Sequence, residues 1–382
     1  MFIVDTFKFY DEDGKQLPVV KEEQIGGGGT YFIVGARHFL PAQELAQIVD
    51  TEPSSCSPKM LADLKSYGED MFWFRLRQDG KPTALGLNAY TGQGRDFSMP
   101  VAGVRLWPMD LVQSPSFFQP TKPCIIHSTC SPERAAVIIE QIDEVRSEEN
   151  ASDWKPAFIW EILPVRPDCI PEKMLLIAEI CPRLSVLSPN HTEALAMFGK
   201  ISSPYLSDHQ VSAFYPSTDG MKAEIENVAK SLLQLLVAKD TPTPGPGWDR
   251  GVIVRCGAMG CCIVRKRYLV SGDDDDKSEE AKPQWIEAYW TASASPDFRN
   301  HIVDVTGGGN AFLGGLAAGM KLTDGDLRES ALYGTVSASY AIEQDGLPHI
   351  ETTRDGVEVW NGDLPSSRLQ NLRSRTSSSS VR

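Results

Sequence analysis

Seven consecutive residues, Asp304–Asn310, have the composition of a phosphate-binding loop (Asp-Val-Thr-Gly-Gly-Gly-Asn). They follow the apolar run His301–Val303, which predicts a short strand, and precede the small-residue stretch Ala311–Gly319, which predicts a helix. Glycines let the backbone turn tightly and bring its N–H groups close to a ligand. The positive end of the helix that follows would face the same point. The pattern therefore predicts an anion site suited to a phosphate in transfer.

The elements that would hold this loop can be predicted from the apolar pattern between Cys124 and Val254. Short apolar runs, which predict strands, alternate with stretches of helical periodicity. The strands are expected at Cys124–His127, Ala157–Ile162, Leu184–Leu187 and Val252–Val254, and the helices near Pro132–Arg146, near Pro171–Cys181, from about Thr192 and over Met221–Leu236. Such alternation is typical of a parallel sheet covered on both faces.

Two antiparallel pairings are also predicted. Phe72–Arg77 and Thr83–Tyr90 alternate apolar and polar residues around the turn Asp79-Gly80, which indicates a hairpin. Cys262–Val270 and Trp285–Trp290 are expected to pair with each other.

The loop and the helix after it resemble the second signature of the pfkB (ribokinase-like) carbohydrate kinase superfamily. Its usual form is Asp-Thr-Thr-Gly-Ala-Gly-Asp, then Ala-Phe and a glycine-rich helix. The resemblance implies an α/β fold with a central, mostly parallel sheet flanked by helices and a small β lid at Phe72–Tyr90. It also implies ATP- and Mg²⁺-dependent phosphoryl transfer to a hydroxyl of a sugar or nucleoside. The chain is most similar to a divergent fungal branch that includes the yeast "maintenance of killer" protein.

The resemblance implies a set of site residues in chain order. Asp5 would bind a sugar hydroxyl, and Gly26 and Gly27 would form the turn against which the substrate lies. Asn190 and Glu193 would organise Mg²⁺ through water. The nucleotide contacts would come from Asn190, Glu193, Arg255, Gly257, Gly260, Thr306, Gly307, Gly309 and Ser337. Gly307, Gly308, Gly309 and residue 310 would carry the catalytic step.

Simpler interpretations exist for several of these residues. Asp5 could cap a strand, and Gly26–Gly29 could be a flexible turn. Asn190 and Glu193 could be a helix N-cap and its partner, because Asn is a good cap and the Glu lies three residues later.

Three positions depart from the family pattern. Asn310 stands where the family has its catalytic Asp, and an amide cannot take up a proton at neutral pH. Tyr31 replaces an Asn after the first glycine turn. Arg255 replaces a Thr, and its guanidinium could grip a phosphate in two places or face solvent. We therefore predict either a weak kinase or a catalytically inactive pseudokinase that binds a nucleotide or metabolite.

The composition restricts the partners. The 382 residues carry 37 Lys and Arg against 51 Asp and Glu, a net charge of −14. Nucleic-acid binding needs a basic surface and is not expected. Neither a membrane span nor a signal peptide is expected, so the predicted location is the cytoplasm. A homodimer is possible, because the lids of the family can join subunits.

The predicted organisation is one ribokinase-like domain over residues 1–350 with lid strands within about 70–100. A C-terminal extension covers 351–382, and its Ser- and Arg-rich part from about 366 is expected to be disordered. The connector Thr241–Gly247 and the four aspartates Asp273–Asp276 are expected to lie in loops.

Overall fold

A computed structural model describes residues 1–91, 94–114, 116–163, 168–206, 208–238, 245–266 and 282–379. Its strands are β1 Ile3–Tyr10, β2 Gln24–Gly26, β3 Gln47–Thr51, β4 Phe72–Leu76, β5 Leu85–Thr91, β6 Gly94–Val101, β7 Ile125–Cys130, β8 Ala157–Ile162, β9 Val186–Leu187, β10 Arg250–Arg255, β11 Cys261–Lys266, β12 Gln284–Ile286, β13 Ile350–Thr352 and β14 Glu358–Trp360. Its α-helices are α1 Gly28–Arg37, α2 Pro58–Ser66, α3 Pro108–Gln113, α4 Pro132–Glu148, α5 Met174–Ile180, α6 His191–Met197, α7 Asp208–Phe214, α8 Thr218–Leu236, α9 Gly308–Leu322, α10 Leu327–Ala341 and α11 Pro365–Ser379.

The chain divides into two compact units. Unit 1 comprises Met1–Leu106, Ala292–Ala318 and Val336–Arg375, and unit 2 comprises Trp107–Thr291, Gly319–Thr335 and Thr376–Arg382.

Unit 2 contains a six-stranded sheet in the order β12-β11-β10-β9-β8-β7. Strands β7 to β10 run parallel, and β11 and β12 pair antiparallel at one side. Strand β8 is buried along its whole length, as expected for a parallel strand covered on both faces. Helix α8 buries the face that contains Ile225, Val228, Leu232 and Leu236. The predicted mixed, mostly parallel α/β sheet is confirmed.

Unit 1 contains a four-stranded sheet in the order β2-β1-β5-β6 and two pairs, β3-β4 and β13-β14. Strand β1 is antiparallel to β2 and parallel to β5, and β5 is antiparallel to β6. In the β3-β4 pair, Arg75 lies opposite Asp50 and donates to its carboxylate at 2.8 Å.

The predicted hairpin Phe72–Tyr90 is wrong. Strand β4 pairs in parallel with β3, and β5 pairs with β1, so the two alternating runs belong to different sheets. Between them, Thr83 is held by earlier residues: its N–H donates to Ser55 Oγ at 2.7 Å and its Oγ1 to Glu52 O at 3.2 Å. Parallel partners from earlier in the chain therefore outweigh the local turn signal.

Two further expectations differ from the structure. Residues 301–303 do not form a strand. A short 3₁₀ helix, Phe298–His301, ends there, and Val303 donates from its N–H to Ile342 O at 2.8 Å. The tail expected to be disordered from about 366 contains α11 instead, whose Leu369 and Leu372 are buried. Its Arg368 lies over the Tyr340 ring at 3.7 Å.

Some expectations lie outside the described residues. They concern Asp273–Asp276, most of the connector Thr241–Gly247 and the second half of the run Cys262–Val270. Within the described residues, none of the helices has both the length and the apolar character needed to cross a bilayer.

Candidate functional site

The glycine-rich loop leads directly into α9, as its sequence predicts. Gly307 has φ +78°, which favours glycine, and α9 begins at the next residue. Asp304 Oδ1 accepts a hydrogen bond from Thr306 N–H at 2.9 Å, which shapes the turn. The N–H of Gly308 donates to Val305 O at 3.2 Å, and Ala311 N–H makes the first helical bond, to Gly307 O at 2.8 Å. The backbone N–H groups of Gly309 and Asn310 thus lie in the first turn, where a helix attracts anions.

Tyr31 packs on this loop from α1. A Cβ placed on Gly307 would lie 2.2 Å from Tyr31 Cδ1, so the ring covers the Cα of Gly307. Glycines of both helices also allow α1 and α9 to approach each other closely. A Cβ on Gly314 would lie 1.8 Å from Phe32 O, and one on Gly35 would lie 2.3 Å from Ala311 O. The small residues of α9 therefore permit close packing on α1.

The expected substrate residues lie together in unit 1. Asp5 is buried in β1, and its carboxyl group fills the space beside two glycines. A Cβ on Gly26 would lie 1.9 Å from Asp5 Oδ2, and one on Gly86 would lie 2.4 Å from Oδ1. Gly27 has φ +97° and precedes α1. The glycines at 26 and 27 thus allow a turn and a close approach that a side chain would block.

The side chain of Asn310 lies next to the same glycine turn. A Cβ on Gly28 would lie 3.0 Å from Asn310 Nδ2. The structure therefore brings the loop residue 310 and the turn Gly26–Gly28 together within unit 1. Residue 310 itself can contribute hydrogen bonds from its amide, but it cannot take up a proton as a carboxylate would.

In unit 2, Asn190 and Glu193 form the capping box of α6. Asn190 Oδ1 accepts from Glu193 N–H at 2.8 Å, and Glu193 Oε2 accepts from Asn190 N–H at 2.7 Å. Glu193 Oε1 also accepts from Asn190 Nδ2 at 2.7 Å. The helix-cap interpretation is confirmed. Both side chains therefore have a folding role, whatever else they bind.

Arg255, at the end of β10, does not face solvent. Its Nη2 donates to Ser188 O at 3.0 Å and forms an ion pair with Glu161 Oε1 at 2.6 Å. Glu193 Oε2 is 3.8 Å from the same nitrogen. The guanidinium is thus held between two carboxylates near the carboxyl ends of parallel strands, where ligands bind in open α/β sheets.

Burial and two neighbouring charges determine the protonation of Glu193. Burial raises the pKa of Glu193 to about 7, Arg255 lowers it and the like charge of Glu161 raises it. At neutral pH this carboxyl group therefore changes charge readily. His127 Nε2 lies 3.9 Å from Glu161 Oε2, and burial lowers the pKa of His127 to about 3. The imidazole next to Glu161 is therefore neutral.

Sequence reasoning missed Glu161, which pairs with Arg255, and His127 and Thr129, which lie beside Glu161. Thr129 Oγ1 donates to Glu161 Oε2 at 2.8 Å. The sequence does indicate an unusual position at Glu161, because this carboxylate lies in the otherwise apolar run Ala157–Ile162. A charge in a buried strand requires a partner.

The remaining predicted nucleotide residues have structural contacts. Gly257 and Gly260 have φ +53° and +87° and form the turn between β10 and β11, where Cys256 N–H donates to Gly260 O at 2.7 Å. Ser337 is buried in α10 and donates from its Oγ to Gly35 O at 2.8 Å. Its hydroxyl is therefore engaged inside unit 1.

The predicted Mg²⁺ site can be tested against the side-chain donor atoms that Asn190 and Glu193 provide. Among the described residues, no three His, Cys, Asp or Glu side chains lie together as a metal site. Both oxygens of Glu193 accept hydrogen bonds from Asn190, yet each carboxylate oxygen has a further lone pair. A Mg²⁺ ion that keeps its water ligands fits this donor set better than an ion bound directly to the side chains.

Comparisons with known proteins agree with the fold. No family model matches the chain. It is 27% identical to Protein MAK32 of Saccharomyces cerevisiae over 380 residues, covering 95% of this chain and 87% of that protein. Its structure is similar to ribokinase from Giardia lamblia, with a TM-score of 0.58 at 16% identity over 90% of this chain and 93% of the other. It is also similar to Arabidopsis thaliana ribokinase complexed with ribose and ATP, with a TM-score of 0.51 at 14% identity, over 97% and 96%. The chain thus has the ribokinase-like fold.

Proposed function

We propose that the protein binds ATP and transfers its terminal phosphoryl group, slowly, to a hydroxyl of a sugar or nucleoside. The observation that carries this proposal is that α9 begins directly after the positive-φ residue Gly307 and that its Asn310 side chain lies against Gly28. Gly28 belongs to the same glycine turn as Gly26, which lies against Asp5. The ribokinase-like fold supports it, because its solved neighbours include a ribokinase complexed with ribose and ATP.

Each residue has a role in this proposal. The N–H groups of Gly309 and Asn310 stabilise the charge of the transferred phosphoryl group, with Gly307, Gly308 and Thr306 shaping the loop. Asp5 accepts a hydrogen bond from an acceptor hydroxyl, against Gly26 and Gly27. Mg²⁺, which shields the phosphate charge when bound, would be held through water by Asn190 and Glu193. Arg255, Gly257 and Gly260 would contact the nucleotide, whereas the buried Ser337 links α10 to α1 through its bond to Gly35 O.

Asn310 limits the rate, because it cannot accept the proton of the attacking hydroxyl. A general base is worth about 10²–10⁴-fold. We therefore expect Asn310→Asp to raise phosphoryl transfer by about 10²-fold or more. The measurement is transfer from labelled ATP to a panel of sugars and nucleosides.

The matched control is Asn300→Asp, which makes the same change at an exposed position. Equal rates for all three proteins at the background level would contradict phosphoryl transfer.

The second candidate function is that of a pseudokinase that binds a nucleotide or metabolite and regulates or scaffolds a partner. Asn310 favours it, because an amide cannot take up the proton of an attacking hydroxyl. The Tyr31 ring also favours it, because the ring lies against Gly307 where the family has a smaller Asn. Titration with ATP, ADP and Mg²⁺ while the melting temperature is followed separates the cases. Stabilisation without transfer supports the pseudokinase, and no stabilisation by any nucleotide contradicts both the kinase and a pseudokinase that binds nucleotides.

The proposed partners are small molecules, in accord with the net charge of −14. Nucleic acid is not among them, because its phosphates would be repelled at this charge. A cytoplasmic location and a homodimer stay predictions.

A further inference from the structure

Among the described residues, Arg255 is the only cation in the proposed nucleotide contacts of unit 2. Its guanidinium is paired with the carboxylate of Glu161. Arg255 Nη2 lies 2.6 Å from Glu161 Oε1, and the exposed fractions of the two side chains are 12% and 8%. Phosphate and carboxylate oxygens bind a guanidinium with the same geometry. Glu161 therefore holds Arg255 as a phosphate oxygen would.

The surroundings of Glu161 fix it in this position. Its second oxygen, Oε2, accepts from Thr129 Oγ1 at 2.8 Å, so the carboxylate is anchored to β7 on one side and paired with Arg255 on the other. His127, 3.9 Å from Oε2, is neutral because burial lowers its pKa to about 3. Neither Thr129 nor His127 thus adds a positive charge beside Glu161.

Arg255 retains capacity for another acceptor. Its Nε–H is buried and has no hydrogen-bond partner among the described residues. A guanidinium has five N–H donors, and the contacts described above all use Nη2. The remaining N–H groups of Arg255 could donate to an incoming anion. The negative charges of Glu161 and of ionised Glu193 would repel that anion.

We infer that Glu161 is an internal competitor for anions at Arg255 and determines how tightly unit 2 binds a polyphosphate. The ligand class is a nucleoside polyphosphate or pyrophosphate. This inference rests on the proposed function, because that function places Arg255 toward the nucleotide. Removing the charge of Glu161 while preserving its shape should free Arg255 and strengthen binding.

The test is calorimetric titration of the full chain with ADP and with inorganic pyrophosphate. We expect Glu161→Gln to bind both at least about tenfold more tightly than the wild type, a modest value for close charge pairs. The amide retains an oxygen that can accept from Thr129. Glu161→Ala is the second variant should the amide disturb folding, and the same direction is expected.

Two controls identify the cause. Glu224→Gln makes the same change in a pair with Lys200, at 2.9 Å on the surface, and should leave affinity unchanged. In the double variant Glu161→Gln/Arg255→Gln the gain should disappear, because the gain requires the freed guanidinium.

The outcomes separate this inference from the proposed function. Wild-type binding that is unchanged in both Glu161 variants overturns the inference and leaves nucleotide binding intact. Binding by the Glu161 variants alone supports the inference and contradicts nucleotide binding by the native chain. Absence of binding in all variants overturns both.

Discussion

At residue 307, the backbone conformation and the close approach of a ring both require glycine. Gly307 has φ +78°, and a Cβ there would lie 2.2 Å from Tyr31 Cδ1. A side chain would have to displace Tyr31, and with it the contact between α1 and α9. Glycine at 307 therefore makes room for Tyr31.

We expect Gly307→Ala to lower the free energy of unfolding by more than about 3 kcal/mol, because positive-φ strain of about 1–2 kcal/mol adds to the cost of overpacking. It should also abolish stabilisation by nucleotide. The measurement is urea denaturation with and without ADP.

Gly356→Ala is a matched control, because Gly356 also has φ +78° but its Cβ would have nothing within 4 Å. We expect it to cost only the backbone strain of about 1–2 kcal/mol. Equal losses in the two variants would show that the Tyr31 contact contributes nothing.

At this scale the sequence predicted backbone features better than side-chain partners. The turn at Gly307 and the cap formed by Asn190 and Glu193 follow from residue types at fixed spacing. The pairing of Arg255 with Glu161 does not, because it joins β8 to β10 across the sheet. Contacts between residues distant in sequence have no local signal.

Among the elements, α11 shows how composition can mislead. Its Ser and Arg content predicted disorder, but three residues fix one face: Leu369 and Leu372 are buried, and Arg368 bonds Glu343 and Asp363. Apolar residues three positions apart are enough to bury a helix whose other faces remain polar. The wrong hairpin at β4 and β5 has a related origin, since parallel partners come from distant parts of the chain.

We expect Leu372→Ala to lower the free energy of unfolding by about 2–5 kcal/mol, the usual cost of emptying a buried leucine site. Denaturation followed by circular dichroism measures it. The control is Leu175→Ala, since Leu175 is 82% exposed in α5 and should change stability by less than about 0.5 kcal/mol. A neutral Leu372→Ala would show that α11 does not pack as described.

For the whole molecule, two buried histidines, one in each unit, make the free energy of unfolding fall at acid pH. Burial is the main cause that lowers the pKa of His38 and of His127 from 6.5 to about 3. Between these pH values the unfolded chain binds protons that the folded chain does not. The stability that the neutral rings contribute is therefore present above pH 6.5 and is lost as the pH falls toward 3. Glu193 acts in the opposite direction, because its pKa is raised from 4.5 to about 7.

We expect His38→Asn to reduce the dependence of the free energy of unfolding on pH between 6.5 and 4 by about 1.4 kcal/mol per pH unit. Urea denaturation of the variant and the wild type at several pH values measures the difference, and the contribution of Glu193 is common to both. Identical pH slopes would show that His38 is protonated in the folded state.

The capping box of α6 has a consequence for how such chains change over time. Because Asn190 and Glu193 start a helix, selection for foldability alone can preserve them after selection for catalysis has ended. A proton acceptor at residue 310, by contrast, has no use in a chain without turnover, so selection would not preserve it there. Under the pseudokinase proposal, the Asn-x-x-Glu motif should therefore be kept among homologous chains that have lost an aspartate at the position of Asn310. The presence of the motif then reports how α6 begins and does not by itself report activity.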